Sequence, residues 1–451
     1  MNPFTKEDKL SSNKVWDGVA LLIGFLLSLV LIATLTQLVF GGEILDTFSN
    51  LTLRLINILL GVSIVLMILI LVLENGSPAT TLAWIMVLIF LPVVGFVFYL
   101  LFGRNWRKRR VFGKKSLVDA EIITSSHVPR YVDFKWKDDN ALIHKLNRLL
   151  KNNSRAHLTL HNKVQLYAQT NEAFTDMLSS VSQARQHIHL EYFSIAADDT
   201  GKALQQLLIQ KALSGVEVRF IYDAVGCWNL PGRFKKDMLK AGIQFVPFMP
   251  VLIPFLNSRM NYRNHRKLLI VDSRKAYLGG LNIGDKYLGK SSYYGSWRDS
   301  LAVIEGEGVI SLQAIFIADW FFVSKENLLT DNRYLSLMPD NFQALIPLQI
   351  AASGPDNRQA NILQLYFTAI AAAQISIRIS TPYLILNESL RMALITAAIS
   401  GVKVQIILPC KPDHYIVYWA SRSYFKDLLD VGVEIWEYQN GFYHAKIMIV
   451  D

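Results

Sequence analysis

The sequence predicts an α/β protein in which N-terminal transmembrane helices precede two homologous lobes, each a mixed β-sheet flanked by helices and related by a pseudo-twofold. Three observations predict it. Three long uncharged apolar runs lie in the first quarter of the chain. From about Leu158 the pattern becomes that of alternating helices and strands. The landmarks of that part occur twice, in the same order. The 451 residues are 52% hydrophobic and 18% charged, against about 25% charged in a soluble domain, which argues against disorder and against an all-soluble enzyme. Cys227 and Cys410 are the only cysteines, too few for a disulfide framework or a multi-cysteine zinc site.

After a tail over 1–17, a membrane-anchor region is expected over 18–103. Its runs 19–40, 55–73 and 82–102 carry no charge, and each matches the ~20 residues that cross a hydrocarbon core at 1.5 Å per residue. Pro92 and Gly95 interrupt the third run, as membrane helices tolerate. The segment Glu74 to Pro78 reads as a turn, so the second and third runs pair as a hairpin. Trp84 and Tyr99 suit the interface. The first run is too long for a signal peptide core and lacks a small-residue cleavage site; its orientation stays open.

A basic juxtamembrane linker is expected over 104–157. Arg104, Arg107, Lys108, Arg109, Arg110, Lys114 and Lys115 account for most of the net charge of +10. Beside an apolar run, such a cluster marks the cytoplasmic side and a contact with anionic headgroups. Nucleic acid is not expected as a partner, because the rest of the chain is close to neutral.

The two lobes are expected over 158–345 and 346–451. In each, a helical run ending in Ala-x-x-x-Ile leads to a strand and a second helix. Ser-Gly-Val-x-Val, at Ser214 and again at Ser400, then enters another strand. Leu239–Phe248 matches Leu428–Tyr438, and Asn264–Asp272 matches Tyr443–Asp451. An ordered series of matches implies a duplicated α/β unit.

The duplication delivers His-x-Lys-x4-Asp twice, as His265, Lys267 and Asp272 and as His444, Lys446 and Asp451. The apolar interval reads as a buried strand. His and Lys at i and i+2 share a face, whereas Asp at an odd offset does not. Gly279 and Gly280 would let backbone approach a ligand, and Asn282 could donate a hydrogen bond there. Imidazole serves as nucleophile and as general acid near neutral pH, and a lysine ammonium offsets anionic charge. Two such pairs around one pocket suit phosphodiester substitution through a phosphohistidine. No cofactor or metal is called for, since the sequence holds no dense carboxylate cluster. Glu191, Trp297, Arg298 and Asp299 are further pocket candidates, or members of a structural salt bridge.

At these residues the sequence resembles the phospholipase D superfamily, whose long motif His-x-Lys-x4-Asp-x6-Gly-Gly-x-Asn is matched through His265, Lys267, Asp272, Gly279, Gly280 and Asn282. Thr81–Asn105, Leu190–Ile195, Ser296–Ser300, Ser353–Asp356, Thr381–Leu386 and Ala420–Phe425 look like segments of bacterial cardiolipin synthases. The resemblance implies transfer of a phosphatidyl group from one phosphatidylglycerol to another with release of glycerol. It implies a multi-pass membrane enzyme with phosphatidylglycerol and other anionic phospholipids as partners. It makes His265 the nucleophile and His444 the acid/base, although the symmetry allows the reverse. Alternatives are another phospholipase D-type phosphatidyltransferase or hydrolase, or a non-catalytic membrane scaffold. The family pattern also leads one to expect a Gly-Ser-x-Asn and closing strands after Asp451, so the second lobe reads as incomplete and this chain is expected to have low activity. Leu386 stands where relatives often have Pro.

Overall fold

The computed structural model describes residues 141–251, 262–335, 346–357 and 359–451, with 78–91 and scattered positions elsewhere before 141. The chain divides into two compact units, 1–106 and 107–451.

In the first unit, run 19–40 lies outside the described residues and run 55–73 is described only at scattered helical positions. The third run is described over 82–91 and at positions 95, 98 and 99. Helix α1 (Pro78–Phe90) has 13 residues, about 20 Å at 1.5 Å per residue, against ~30 Å for a hydrocarbon core. From within it the Trp84 ring meets that of Tyr99 edge to face at 5.3 Å. Among the described residues, the one helix long and apolar enough to cross a membrane is Glu307–Ser324, and it is mostly buried inside the second unit.

The second unit contains α2 (Ala141–Ser154), β1 (Leu158–Thr159), β2 (Asn162–Gln169), α3 (Thr170–Gln183), β3 (His187–Tyr192), α4 (Asp199–Leu213), β4 (Glu217–Asp223), α5 (Gly232–Lys240) and β5 (Gln244–Phe248). Then come β6 (Lys267–Val271), β7 (Lys275–Gly279), β8 (Trp297–Gly306), α6 (Glu307–Ser324), α7 (Asn332–Leu335) and β9 (Leu348–Gln349). The second lobe adds α8 (Asn361–Ala372), β10 (Ser376–Ser380), α9 (Glu388–Ile399), β11 (Lys403–Pro409), α10 (Tyr415–Arg422), α11 (Phe425–Leu429), β12 (Glu434–Tyr438), β13 (Phe442–Tyr443) and β14 (Ile447–Val450).

The main sheet runs β13-β8-β7-β6-β3-β4-β5, with β2 also on β8, and the second runs β12-β11-β10-β14. Strands β3, β4 and β5 are parallel, as are β10, β11 and β12. In each sheet an antiparallel strand, β6 or β14, closes onto the first of the three. The registers agree: Val271 faces Ile188, and Val450 faces Ile377. Ser-Gly-Val works because Gly215 and Gly401 take φ of 91° and 92°, a left-handed turn that glycine enters without a Cβ clash.

Alternation along β3 sends Ile188, Leu190 and Tyr192 into a core with α3, α4 and α5. The other face carries His187, His189 and Glu191, buried toward α6. The His189 ring stacks on Phe316 at 4.4 Å and its Nδ1 lies 2.8 Å from Gln313 Nε2. Nε2 of His187 meets Ser273 Oγ at 3.0 Å. In the second lobe α8, α9 and α11 cover one sheet face through Ile370, Leu394, Ala397 and Leu428.

Burial holds His187 neutral, with its imidazole down to about 4. An unfolded chain takes up that proton below about 6.5, so folding stability is lost as pH falls from there toward 4. For a shift of this size the loss is about 3 kcal/mol. Chemical unfolding of the solubilised protein should show this slope between pH 6.5 and 4, and His187→Asn should flatten it. An unchanged slope in the variant would assign the loss to other groups.

Candidate active site

Each imidazole stands just before the antiparallel strand that closes its sheet, at the rim where the parallel strands end. Tyr192, the last residue of β3, pairs with Lys267, and Ser380, the last of β10, pairs with Ile447. Within each motif Lys folds back on its His. Lys267 Nζ lies 2.9 Å from His265 Nδ1 and donates to the His265 carbonyl at 2.7 Å. Lys446 Nζ lies 2.8 Å from His444 Nδ1.

The lobes are stitched together here. β13, from the second lobe, adds in parallel to β8 of the first, with Phe442 facing Trp297 and Tyr443 facing Arg298. The His444 amide donates to the Arg298 carbonyl at 2.8 Å. Asp299 Oδ2 then meets His444 Nδ1 at 2.7 Å, both groups buried. The His444 ring packs on Trp297 at 5.2 Å and stands edge-on to Tyr383 at 6.5 Å. His265 packs against Phe193 at 4.6 Å.

The two cationic pairs act on one another. His265 sits at an open mouth, yet enough protein surrounds it that desolvation, then Lys267, Lys446 and His444, holds its imidazole down at about 3. Burial, then the Lys446 ammonium, brings Lys267 down to about 7. Burial brings Lys446 to about 8 although Asp299 and Asp413 pull the other way. His444 is lowered by burial, against the hydrogen bond it donates to Asp299.

The aspartates of the two motifs are not brought to this point. The Asp272 carboxylate accepts the amides of Arg185, Gln186 and His187 at 2.8–2.9 Å. Asp451 accepts those of Gln374, Ile375 and Ser376 at 2.8–2.9 Å. Each sits at the far end of its strand and caps the entry to the neighbouring strand, as the odd offset implies. The glycines lie against β8. A Cβ on Gly280 would collide with the Asp299 carboxylate, and one on Gly279 with the Ser300 carbonyl. They clear space for β8 and for the group that holds His444. Asn282 is buried and its Oδ1 accepts the Ser194 amide at 3.2 Å.

Glu191 points to the α6 side, where its carboxyl accepts from Asn264 Nδ2. Burial and the nearby Asp319 charge push it up, so it stays protonated. Asp319 is held ionised by Arg266 and Lys115. Lys115 also binds Asp356 at 2.6 Å. This network lines a cavity of about 320 Å³ next to His265, with Arg263, Asn264, Arg266, Phe248 and Leu312 among its walls. Sequence reasoning passed over Asn264, Arg266 and Asp319. A signal existed, because Asp319 is the single charge inside the apolar stretch Gly308–Ser324.

Two outcomes follow from this geometry. Sulfate keeps its charge across neutral pH, whereas the lysines lose theirs as pH rises through about 7 to 8. Calorimetry should therefore show sulfate binding weakening by roughly tenfold from pH 7 to 9, the worth of one charged hydrogen bond; a pH-independent affinity would contradict the assignment. Asp272→Ala strands three backbone donors and should cost on the order of 3 kcal/mol, read as a lowered unfolding midpoint, with no change in the pH dependence of sulfate binding.

Comparison with known proteins gives the family. The family described as "Cardiolipin synthase, PLD-like domain" matches residues 177–320 and 366–451, and "Phospholipase_D-nuclease N-terminal" matches 61–104. A cardiolipin synthase of Geobacillus sp. (strain WCH70) is 40% identical over 431 residues, covering 95% of this chain and 83% of that protein. Cardiolipin synthase 2 of Bacillus cereus is 41% identical over 379 residues, covering 84% and 74%. A phosphatidylserine synthase structure from Haemophilus influenzae aligns with a TM-score of 0.48 at 17% identity, covering 69% of this chain and 80% of that one. The chain belongs to the cardiolipin synthase family of phospholipase D-like proteins.

Proposed function

We propose that the protein is a cardiolipin synthase that joins two phosphatidylglycerol molecules and releases glycerol. The observation that carries the chemistry is the unequal setting of the two imidazoles. Among the described residues His265 has no carboxylate partner and has two ammoniums near it, so it is held neutral and can attack. His444 has its Nδ1 on the buried Asp299 carboxylate, which orients the ring and opposes the burial that lowers it, so that the proton-bearing form is more accessible here than at His265 and suits acid/base work.

In the first step a His265 ring nitrogen bonds to phosphorus of one phosphatidylglycerol. The P–O bond to glycerol breaks and His444 gives that oxygen its proton. In the second step His444, now neutral, takes the proton from the terminal hydroxyl of another phosphatidylglycerol. Its oxygen bonds to phosphorus, the P–N bond breaks and His265 is restored. Lys267 and Lys446 offset charge on the non-bridging oxygens, the contribution that is usually largest. Asn282, whose oxygen is engaged by the Ser194 amide, has its amide nitrogen to donate. Asp272 and Asp451 serve by fixing the strands that carry the histidines. The cavity beside His265 offers room for a second headgroup.

The same reading keeps the catalytic lobes on the cytoplasmic side, supported by the basic cluster from Arg104 to Lys115 beside an apolar run.

Membranes containing the full-length protein, given phosphatidylglycerol, should yield cardiolipin and glycerol in equal amounts by mass spectrometry. His265→Ala should remove at least 10³-fold of the rate, and His444→Ala roughly 10²–10⁴-fold. Phosphatidic acid without cardiolipin would replace this reading with hydrolysis, and full activity of His265→Ala would reject the mechanism.

A further inference from the structure

Outside the catalytic seam, the second lobe displays an apolar face that stays largely exposed among the described residues. Helix α10 turns Tyr415, Ile416 and Trp419 outward, 67%, 86% and 67% exposed. These are positions i, i+1 and i+4, one face of a helix. The opposite face is anchored: Ser421 is buried and its Oγ accepts the Leu384 amide at 3.0 Å. Soluble proteins scatter single exposed apolar residues, but a cluster with two aromatics marks an interaction site.

Its position is informative. α10 follows β11 at the rim where the imidazoles stand. Tyr383, edge-on to His444, donates its hydroxyl to Asp413, two residues before the helix. Tyr293 of the first lobe donates to the Pro412 carbonyl at 3.1 Å. The first lobe has an exposed aromatic at the equivalent place, in the connection after β4, where Trp228 is 52% exposed. That connection packs on the group behind His265: Cys227 Sγ lies 3.5 Å from the Phe193 carbonyl. Lys411 and His414, both exposed, flank the apolar face. Tryptophan and tyrosine over an aliphatic residue, with a lysine at the edge, is the pattern of a helix lying in the headgroup layer of an anionic bilayer.

We infer that α10 is an interfacial docking helix, which seats the mouth of the catalytic seam on an anionic phospholipid bilayer through Tyr415, Ile416 and Trp419. The inference rests on the phospholipid reading of the site, and it adds to any anchor in the first unit: an anchor tethers the lobes, whereas this helix sets which rim faces the lipid. A substrate whose phosphate must leave the headgroup plane to reach His265 then travels the shortest path.

The test uses the full-length protein in two arms. In the first, Tyr415→Ser/Ile416→Ser/Trp419→Ser and the mild single variant Ile416→Ser are compared with the parent. Cardiolipin formation is measured on phosphatidylglycerol vesicles and on short-chain phosphatidylglycerol below its micelle concentration. Turnover on vesicles should fall at least tenfold in the triple variant and by a smaller factor in Ile416→Ser, with short-chain turnover kept within about twofold. Equal loss on both substrates, or no loss on vesicles, overturns the inference. In the second arm, tryptophan quenching by brominated phosphatidylglycerol vesicles is compared between the parent and Trp419→Phe. A component missing from the variant supports lipid contact; identical quenching overturns it, as does a sedimentation change showing that the face joins two copies of the chain. If the parent makes no cardiolipin, the proposed reaction fails while the quenching arm still decides the docking.

Discussion

One contact across the seam, from Asp299 of the first lobe to the imidazole of His444 in the second, organises the catalytic region. Both groups are buried and 2.7 Å apart. A carboxylate so placed without its partner would cost several kcal/mol, so the bond commits the two lobes to one arrangement. The surroundings are arranged for it. Gly280 leaves the space that the carboxylate occupies, β13 joins β8 to bring His444 within reach, and Trp297 closes over the ring.

From that contact the two halves acquire different chemistry despite equivalent backbones. Both motifs place a lysine on their own histidine at nearly the same distance, and both aspartates make the same three backbone bonds. Only His444 has a carboxylate among the described contacts. Burial lowers both lysines, and the Lys446 ammonium lowers Lys267 further. An anionic phosphodiester would offset that cost, and the donors are in place before it arrives, the condition under which electrostatic stabilisation is most effective.

Much of this was legible in residues whose meaning is local. The Ser-Gly-Val turns, the strand–helix alternation and the separation of Asp272 and Asp451 from the histidine face all depend on backbone geometry within a few residues, and the structure has them. Other features were not legible because their partners are distant in sequence. Gly279 and Gly280 lie against β8, about twenty residues later. Glu191 was open between lining the pocket and a structural contact, and its carboxyl belongs to a buried network with Asn264 and Asp319.

The sequence by itself determined the duplicated α/β unit, the paired His and Lys and the phosphodiester chemistry they suit, because period, turn residues and motif spacing act at short range. Only the tertiary structure decided that Asp299 serves His444 across the lobe boundary and that an aromatic helix lies beside the site. Those depend on which strand edge the second lobe joins, a choice made by packing between segments more than a hundred residues apart.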